Sequence, residues 1–183
     1  NSSGQLTNRS SEYVLSPILL KDLPKVDMIS AGYAHSVFLV GDEVYNQGAN
    51  DNGQLGRERK NSTRLEKLTN LPPIRYIQAG FYSSYYVDHE NHLWVQGNQF
   101  FSSLRDKPPT TPTQIDIDDV YTVSQASYHM FITKNDGNIF ALGGNSFGQL
   151  GMGNKNTADS PTLLLDSSHM TTEFSSRSKS ARK

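Results

Sequence analysis

The sequence predicts an all-β fold: a partial β-propeller of about three four-stranded blades, forming an open or incomplete ring. Three observations support this prediction. A segment of apolar and small residues recurs at intervals of 48 and 46 residues. The end of each copy and the residues after it form two β-rich runs joined by a turn, and no stretch has the 3.6-residue apolar period of an amphipathic helix. Four short strands repeated about every 50 residues are typical of propeller blades.

The first four residues of each recurring segment (29–32, 77–80 and 123–126) predict a strand that ends in small residues. Its copies are ISAGYAHSVFLV at 29–40, IQAGFYSSYYVD at 77–88 and VSQASYHMFITK at 123–134. Small side chains allow strands to crowd near a central axis. An aromatic residue then falls at one repeat position in every unit, as Tyr45, Trp94 and Phe140.

The next two strands of each unit form a predicted hairpin. Gly41-Asp42 suits a type II′ turn, because glycine adopts positive φ readily at the first turn position. Asn135-Asp136-Gly137 predicts a second hairpin, and Asp88–Asn91 a third with a longer turn. A fourth, outer strand is expected near Pro17–Leu20 and Thr113–Asp116, since proline is tolerated at sheet edges. We predict a loop over Glu58–Leu71, where 61–63 interrupt the apolar pattern.

A Gly-Gln-Leu-Gly motif marks the loop after the hairpin. It occurs at 53–56 and 148–151, with a degenerate copy at 102–105 and a partial copy, Gly-Gln-Leu-Thr, at 4–7. The repeated glycines are at positions 32, 48, 53, 56, 80, 97, 143, 148 and 151. They occur at strand ends and turns, without the lysine of a phosphate-binding loop, so we interpret them as structural.

These motifs resemble the repeats of the regulator of chromosome condensation (RCC1-like) family. The matching pattern is Ala-Gly-x-x-His-Ser, followed by Gly-x-Asn-x-x-Gly-Gln-Leu-Gly; residues 31–36 and 48–56 fit it fully. The middle unit has Ser83 in place of histidine, and the third has Gln125-Ala126 in place of Ala-Gly. The resemblance implies a propeller that usually has seven blades. It does not select a function, because one fold serves many.

The predicted organisation is a block of repeats at 1–165 and a basic, disordered tail at 166–183. Complete units cover about 17–64, 65–111 and 112–159, with partial repeats at both ends. Three blades cannot close a ring, and open ends expose unpaired strand edges. We therefore expect a fragment of a larger propeller; assembly of several chains into a ring is the alternative.

Composition excludes several classes of protein. The 17 Lys and Arg residues balance 18 Asp and Glu, which argues against a strongly basic nucleic-acid binder. The absence of cysteine excludes disulfides and thiolate metal sites. No apolar run approaches the roughly 20 residues of a membrane span. We expect a cytoplasmic or nuclear protein with no membrane partner, and nucleic acid or chromatin could be bound only through the basic tail.

The sequence predicts no catalytic residue, no metal site, no cofactor and no small-molecule substrate. His35 and His129 share one repeat position, as expected of a structural, blade-internal hydrogen bond rather than a catalytic group. His89 and His92 lack the spacing of a zinc helix and fall in a predicted turn. Trp94 is interpreted as a core residue.

The candidate protein-binding face consists of Tyr33, Phe81, Tyr82 and Tyr128, the aromatic residues at the variable positions of the Ala-Gly-x-x-His segments. Rigid rings suit a protein contact because they supply large area at low entropic cost. The alternative is that these rings pack between neighbouring blades.

Three functions are consistent with the sequence. The first is a non-catalytic protein-interaction module. The second, implied by the resemblance, is guanine-nucleotide exchange on a Ran-type small GTPase together with chromatin binding. The third is a set of regulatory repeats in a larger enzyme such as a ubiquitin ligase.

Overall fold

The computed structural model describes residues 1–6, 13–19, 25–58, 60–98 and 110–168. Its strands are β1 (Met28–Ala31), β2 (His35–Val40), β3 (Glu43–Gly48), β4 (Ser62–Lys67), β5 (Ile74–Ala79), β6 (Ser83–Asp88), β7 (Leu93–Gly97), β8 (Thr113–Ile115), β9 (Val120–Gln125), β10 (His129–Lys134), β11 (Ile139–Gly143) and β12 (Ala158–Leu165).

These strands form three antiparallel sheets in which chain order is also spatial order. Blade 1 is β1-β2-β3-β4, blade 2 is β5-β6-β7-β8, and blade 3 is β9-β10-β11-β12. β1 and β2 contact β5, while β5 and β6 contact β9, so blade 2 lies between the other two. The described strands leave the ring open. The predicted fold, an incomplete propeller of about three four-stranded blades, is confirmed.

Two of the predicted hairpins follow directly from their turn residues. Val40 pairs with Glu43 across Gly41-Asp42, and Gly41 has φ +58° while Asp42 keeps negative φ, as in a type II′ turn. In blade 3, Gly137 has φ +88° and its amide donates to the carbonyl of Lys134.

The outer strands were predicted less well. β8 confirms the strand expected near Thr113–Asp116, and it pairs with β7 at the sheet edge. The loop predicted for Glu58–Leu71 is wrong, because β4 lies within it and pairs with β3. Residues 17–19, expected to be an outer strand, form none, and Leu20 lies outside the described residues. The described residues ahead of them supply no hairpin on which such a strand could pair.

Two of the three hydrophobic clusters among the described residues lie between blades, and the third, formed by Ala141, Leu150 and Ala158, lies within blade 3. One cluster joins Val37, Leu39 and Val44 of blade 1 to Ile77 and Tyr86 of blade 2, with Ile74, Ala79 and Leu68 completing it. A second joins blade 2 to blade 3 and consists of Tyr85, Val87, Leu93, Val95, Ile115, Val120, Val123, Met130, Ile132 and Leu142. Burying a large aliphatic side chain contributes about 1.5–3 kcal/mol, so each blade depends on its neighbour for stability.

Each blade therefore has two different faces. We call the face packed against the preceding blade the leading face, and the face packed against the following blade the trailing face. Residues 169–183, which include most of the predicted basic tail, and the degenerate motif at 102–105 lie outside the described residues. Within the described residues, no helix is long and apolar enough to cross a membrane.

Candidate protein-binding face

The structure places the four predicted aromatic residues in equivalent turns. Tyr33 lies between β1 and β2, Phe81 and Tyr82 lie between β5 and β6, and Tyr128 lies between β9 and β10. A backbone hydrogen bond of 2.8–3.0 Å closes each turn, from Gly32, Gly80 and Ala126 to the carbonyl of the residue three positions later. The two residues between these anchor points project from the same end of every blade.

The four rings form one continuous group across the three blades. The ring centroid of Phe81 lies 4.4 Å from those of Tyr33 and Tyr82, and 6.0 Å from that of Tyr128. Tyr33 and Tyr128 are 65% and 63% exposed, while Phe81 and Tyr82 are half-buried. The rings therefore contact one another and still present surface to solvent. We call these four residues the aromatic row.

A second set of backbone bonds fixes the positions of these turns. The amides of Ala49, Asn98 and Gly144, which follow the third strand of each blade, donate to the carbonyls of Ala34, Tyr82 and Tyr128. The distances are 2.7–2.9 Å. A turn held at both ends presents its side chains with little freedom to lose on binding.

Sequence reasoning missed one aromatic residue near this end of the molecule. Phe147 is 92% exposed and lies in the loop after β11, whose first amide, that of Gly144, bonds Tyr128. The equivalent residue in blade 1 is Asn52, so the repeat gave no sign of an aromatic there. Only its exposure in the folded loop identifies it.

His35 is structural, but the prediction of a blade-internal hydrogen bond is wrong. Its Nε2 lies 3.0 Å from Oγ of Ser84 in blade 2. Because that hydroxyl donates its proton to the carbonyl of Gln54 at 2.8 Å, Nε2 of His35 is the donor. Burial lowers the pKa of His35 to about 4, so the ring is neutral at pH 7. Its Nδ1 has no hydrogen-bond partner among the described residues.

The corresponding site between blades 2 and 3 is built from different residues. Ser83 replaces the histidine, and its hydroxyl donates to Oε1 of Gln125 at 3.2 Å across the interface. The hydroxyl groups of Ser83 and Tyr85 lie 3.0 Å apart. Gln125 occupies the repeat position of Ala79. At the contact between blades 2 and 3, glutamine thus replaces the smaller alanine on one blade where serine replaces the larger histidine on the other. Burial raises the pKa of Tyr85 well above its usual range.

The Gly-Gln-Leu-Gly motif forms a loop that docks on the next blade. The carbonyl of Gln54 accepts hydrogen bonds from Oγ of Ser84 and Nε2 of Gln96, both at 2.8 Å. Oδ1 of Asn50 holds the loop together by accepting from the amide of Leu55 at 2.8 Å. The structural interpretation of the repeated glycines agrees with this geometry.

The histidines at the other end of the blades take part in turn contacts. Asp88 accepts hydrogen bonds from the amide and Nδ1 of His92 and from Nε1 of Trp94. Burial opposes ionisation of Asp88, but these donors outweigh it and lower its pKa. His89 lies 2.9 Å from Asp42. Among the described residues, no group of three or more His, Cys, Asp and Glu side chains could hold a metal ion. Trp94, predicted to be core, is half-buried beside the cluster between blades 1 and 2.

Comparison with known proteins identifies the repeat. The family model of the regulator of chromosome condensation (RCC1) repeat matches residues 136–176. The chain is 31% identical over 150 residues to the mouse (Mus musculus) regulator of chromosome condensation, a match that covers 74% of this chain and 35% of that protein. It is 38% identical over 88 residues to an RCC1 domain-containing protein of Dictyostelium discoideum, covering 46% and 12% of the two chains. The chain thus spans about a third or less of the length of these relatives.

Two solved structures share the fold. Prp20p from Saccharomyces cerevisiae superposes with a TM-score of 0.68 at 21% identity, covering 80% of this chain and 40% of that one. The structure of Kap60 bound to yeast RCC1 (Prp20) gives a TM-score of 0.76 at 20% identity, covering 91% and 43%. Repeated motifs, three successive four-stranded sheets and these similarities agree. The chain carries repeats of the regulator of chromosome condensation type, and its sheets are three blades of an incomplete propeller.

Proposed function

We propose that this chain is a non-catalytic protein-interaction module, part of a larger propeller, that binds another protein through the aromatic row. The observation that carries the proposal is the contact of four rings from three blades at one solvent-facing end. The partner is a protein rather than a small molecule or a membrane, and we place the interaction in the nucleus or cytoplasm.

The physical argument rests on the area and rigidity of these rings. A buried Tyr or Phe removes about 150–250 Å² from water, and it has few rotatable bonds to order. Binding energy concentrates in such residues when they lie near the centre of a contact. The hydrogen-bonded turns hold the rings in place before the partner arrives, which reduces the entropic cost of association.

The test replaces all four residues of the aromatic row with alanine. Cross-linking and affinity capture would identify the partner of the wild-type protein, and its affinity would then be measured by calorimetry. We expect at least a ~100-fold loss of affinity, because several central aromatic residues are removed together.

Tyr121→Ala is the matched control for this test. Tyr121 is a tyrosine on β9 that is 57% exposed and lies outside the row. Both variants should keep the circular-dichroism spectrum of the strands. Full affinity in the quadruple variant would refute the proposed face, and loss of the spectrum would show that the rings belong to the core.

Nucleotide exchange on a Ran-type GTPase, with chromatin binding, is the second candidate. It is supported by similarity to the mouse regulator of chromosome condensation and to Prp20p, whose structure was described together with its binding to Gsp1p and histones. Exchange requires docking on the GTPase and distortion of its nucleotide site. Nucleotide release from a panel of small GTPases should accelerate on addition of the full-length protein, and unchanged release rates would remove this candidate.

A further inference from the structure

The surroundings of the aromatic row are almost free of charge. The three turns of the row and the two described loops beside them form five segments, at 32–34, 49–56, 80–82, 126–128 and 144–151. Asp51 is the one charged residue in these segments, which contain neither lysine nor arginine. A partner that presents phosphate groups, such as a nucleic acid, a phosphopeptide or an anionic lipid surface, needs cations to hold it. The row therefore favours an uncharged segment of a protein.

The backbone of these turns is already committed within each blade. The amides of Gly32, Gly80 and Ala126 close the turns, and the carbonyl two positions later in each turn accepts a second hydrogen bond. A partner that adds a strand needs a straight edge of free donors and acceptors, which a closed turn does not offer. Recognition at this end of the blades therefore uses the side chains.

Phe81 lies at the centre of the row, with Tyr33 and Tyr128 on either side of it. Its ring centroid is 4.4 Å from that of Tyr33 and 6.0 Å from that of Tyr128, at interplanar angles of 33° and 38°. Phe81 is half-buried, so it forms the floor between two more exposed rings. Further blades would add their own turns at the two ends of the row, and would leave the contacts of Phe81 as they are.

The spacing of the two outer rings fits a polyproline II segment. The distances to Phe81 place the ring centroids of Tyr33 and Tyr128 no more than about 10 Å apart. Polyproline II rises about 3.1 Å per residue and repeats every three residues, so residues on one side of it are roughly 9 Å apart. Such a segment places one residue against each tyrosine ring, with its middle over Phe81.

The tyrosine hydroxyls are the donors that such a segment requires. Polyproline II has no internal hydrogen bonds, so its carbonyl oxygens remain free to accept, and proline itself has no amide proton to donate. The carbonyls of an α-helix are instead used within the helix. Because Tyr33 and Tyr128 are mostly exposed and their hydroxyls can donate, the row suits a polyproline II segment better than a helix.

We propose that the aromatic row binds a proline-rich segment of its partner in the polyproline II conformation. This inference rests on the proposed function and names the kind of partner. Proline rings pack on Phe81 between Tyr33 and Tyr128, and the two tyrosine hydroxyls donate to carbonyl oxygens of the segment. Proline fixes φ near about −65° and the hydrogen-bonded turns fix the rings, so both sides lose little conformational freedom on binding.

A fluorescein-labelled decaproline peptide tests the proposal, with a Gly-Ser peptide of the same length as the flexible control. Fluorescence anisotropy with the full chain should show that decaproline binds at least ~10-fold more tightly than the control. Replacing all four residues of the row with alanine should abolish this difference. Raising NaCl from about 50 to about 500 mM should change the affinity less than ~2-fold, because no ion pair contributes.

A conservative double variant isolates the hydroxyl groups. Tyr33→Phe combined with Tyr128→Phe keeps both rings and should weaken decaproline binding by at least ~5-fold, through the loss of two hydrogen bonds. Tyr121→Phe is the matched control, at an exposed tyrosine outside the row, and should leave the affinity unchanged. Wild-type affinity in the double variant would overturn the polyproline assignment.

The result for the ligand class is separable from the result for the face. The inference is overturned if neither decaproline nor a library of dodecapeptides with two prolines three positions apart binds more tightly than the Gly-Ser control. If the quadruple alanine variant has then lost the partner captured by the wild-type protein, the face stands and its ligand is not polyproline II. If that variant keeps the partner, both proposals fail.

Discussion

The two contacts between blades solve the same packing problem with different residues. Between blades 1 and 2, a buried histidine joins Ser84 and the carbonyl of Gln54 in a hydrogen-bonded chain. Between blades 2 and 3, Ser83 and Gln125 meet instead, beside apolar Met130. The comparison teaches that a repeat position is constrained by its partner on the next blade rather than by the repeat alone. A departure from the consensus is tolerated where the facing residue changes with it.

The largest expected effect comes from two glycines with the same backbone conformation. Gly56 and Gly151 both have φ +68°. A Cβ at Gly56 would lie 2.2 Å from Oε1 of Gln96 in the next blade, whereas one at Gly151 would meet only Leu164, at 3.9 Å. Gly151→Ala should cost about 1–2 kcal/mol from backbone strain. Gly56→Ala should cost roughly 3–4 kcal/mol, because it also displaces a buried side chain. Urea unfolding would measure the free energy of unfolding of both variants. Equal losses in the two would show that the contact between blades 1 and 2 places no steric constraint on residue 56.

The next effect is a loss of stability in mild acid. His35 has a pKa of about 4 in the folded protein, below the value of about 6.5 expected in the unfolded chain. The unfolded chain therefore binds a proton first, and the free energy of unfolding falls as pH drops from about 6.5 towards 4, by up to roughly 3 kcal/mol. His35→Gln should flatten this slope in urea titrations, and His129→Gln, at the half-exposed equivalent, should retain it. A slope unchanged by His35→Gln would contradict the assignment.

A third test exchanges one contact for the other. His35→Ser alone should cost about 2 kcal/mol, since it leaves a cavity and an unfilled hydrogen-bonding site. Adding Val37→Tyr and Ala79→Gln copies the residues found at Ser83, Tyr85 and Gln125, and should restore more than half of the loss. Thermal unfolding would measure both variants. A triple variant less stable than His35→Ser would show that the two sites are not interchangeable.

The smallest expected effect concerns the donors of the motif loop. Ser84→Ala removes a donor to Gln54 and an acceptor for His35, in a fully buried setting, and should cost about 1–2 kcal/mol. Ser36→Ala removes the equivalent donor to the carbonyl of Gln5 on the open face of blade 1, and should cost about half as much because water can reach that site. A larger effect at Ser36 would mean that residues 1–6 contribute more to stability than a neighbouring blade does.

Much of the candidate face could be predicted from the sequence because its residues occupy fixed repeat positions. Tyr33, Phe81 and Tyr128 lie in the turn between the first and second strands of their blades. Because the blades pack in the same orientation, these turns lie at the same end of the propeller. Phe147 could not be found in this way, since its repeat position holds a polar residue in blade 1. The strand β4 was missed for a different reason: most of its residues are exposed on both faces of the sheet edge, so it shows no apolar alternation.

The sequence by itself determined the number of blades, the hairpins and the turns, because glycines, small residues and alternating apolar residues act through local backbone preferences. Only the tertiary structure decided the partners across each interface: that His35 bonds Ser84 of the next blade, and that the segment 1–6 docks as a motif loop. The physical reason is that a hydrogen bond between residues about 50 positions apart depends on how two sheets stack. No periodicity within one unit records that stacking.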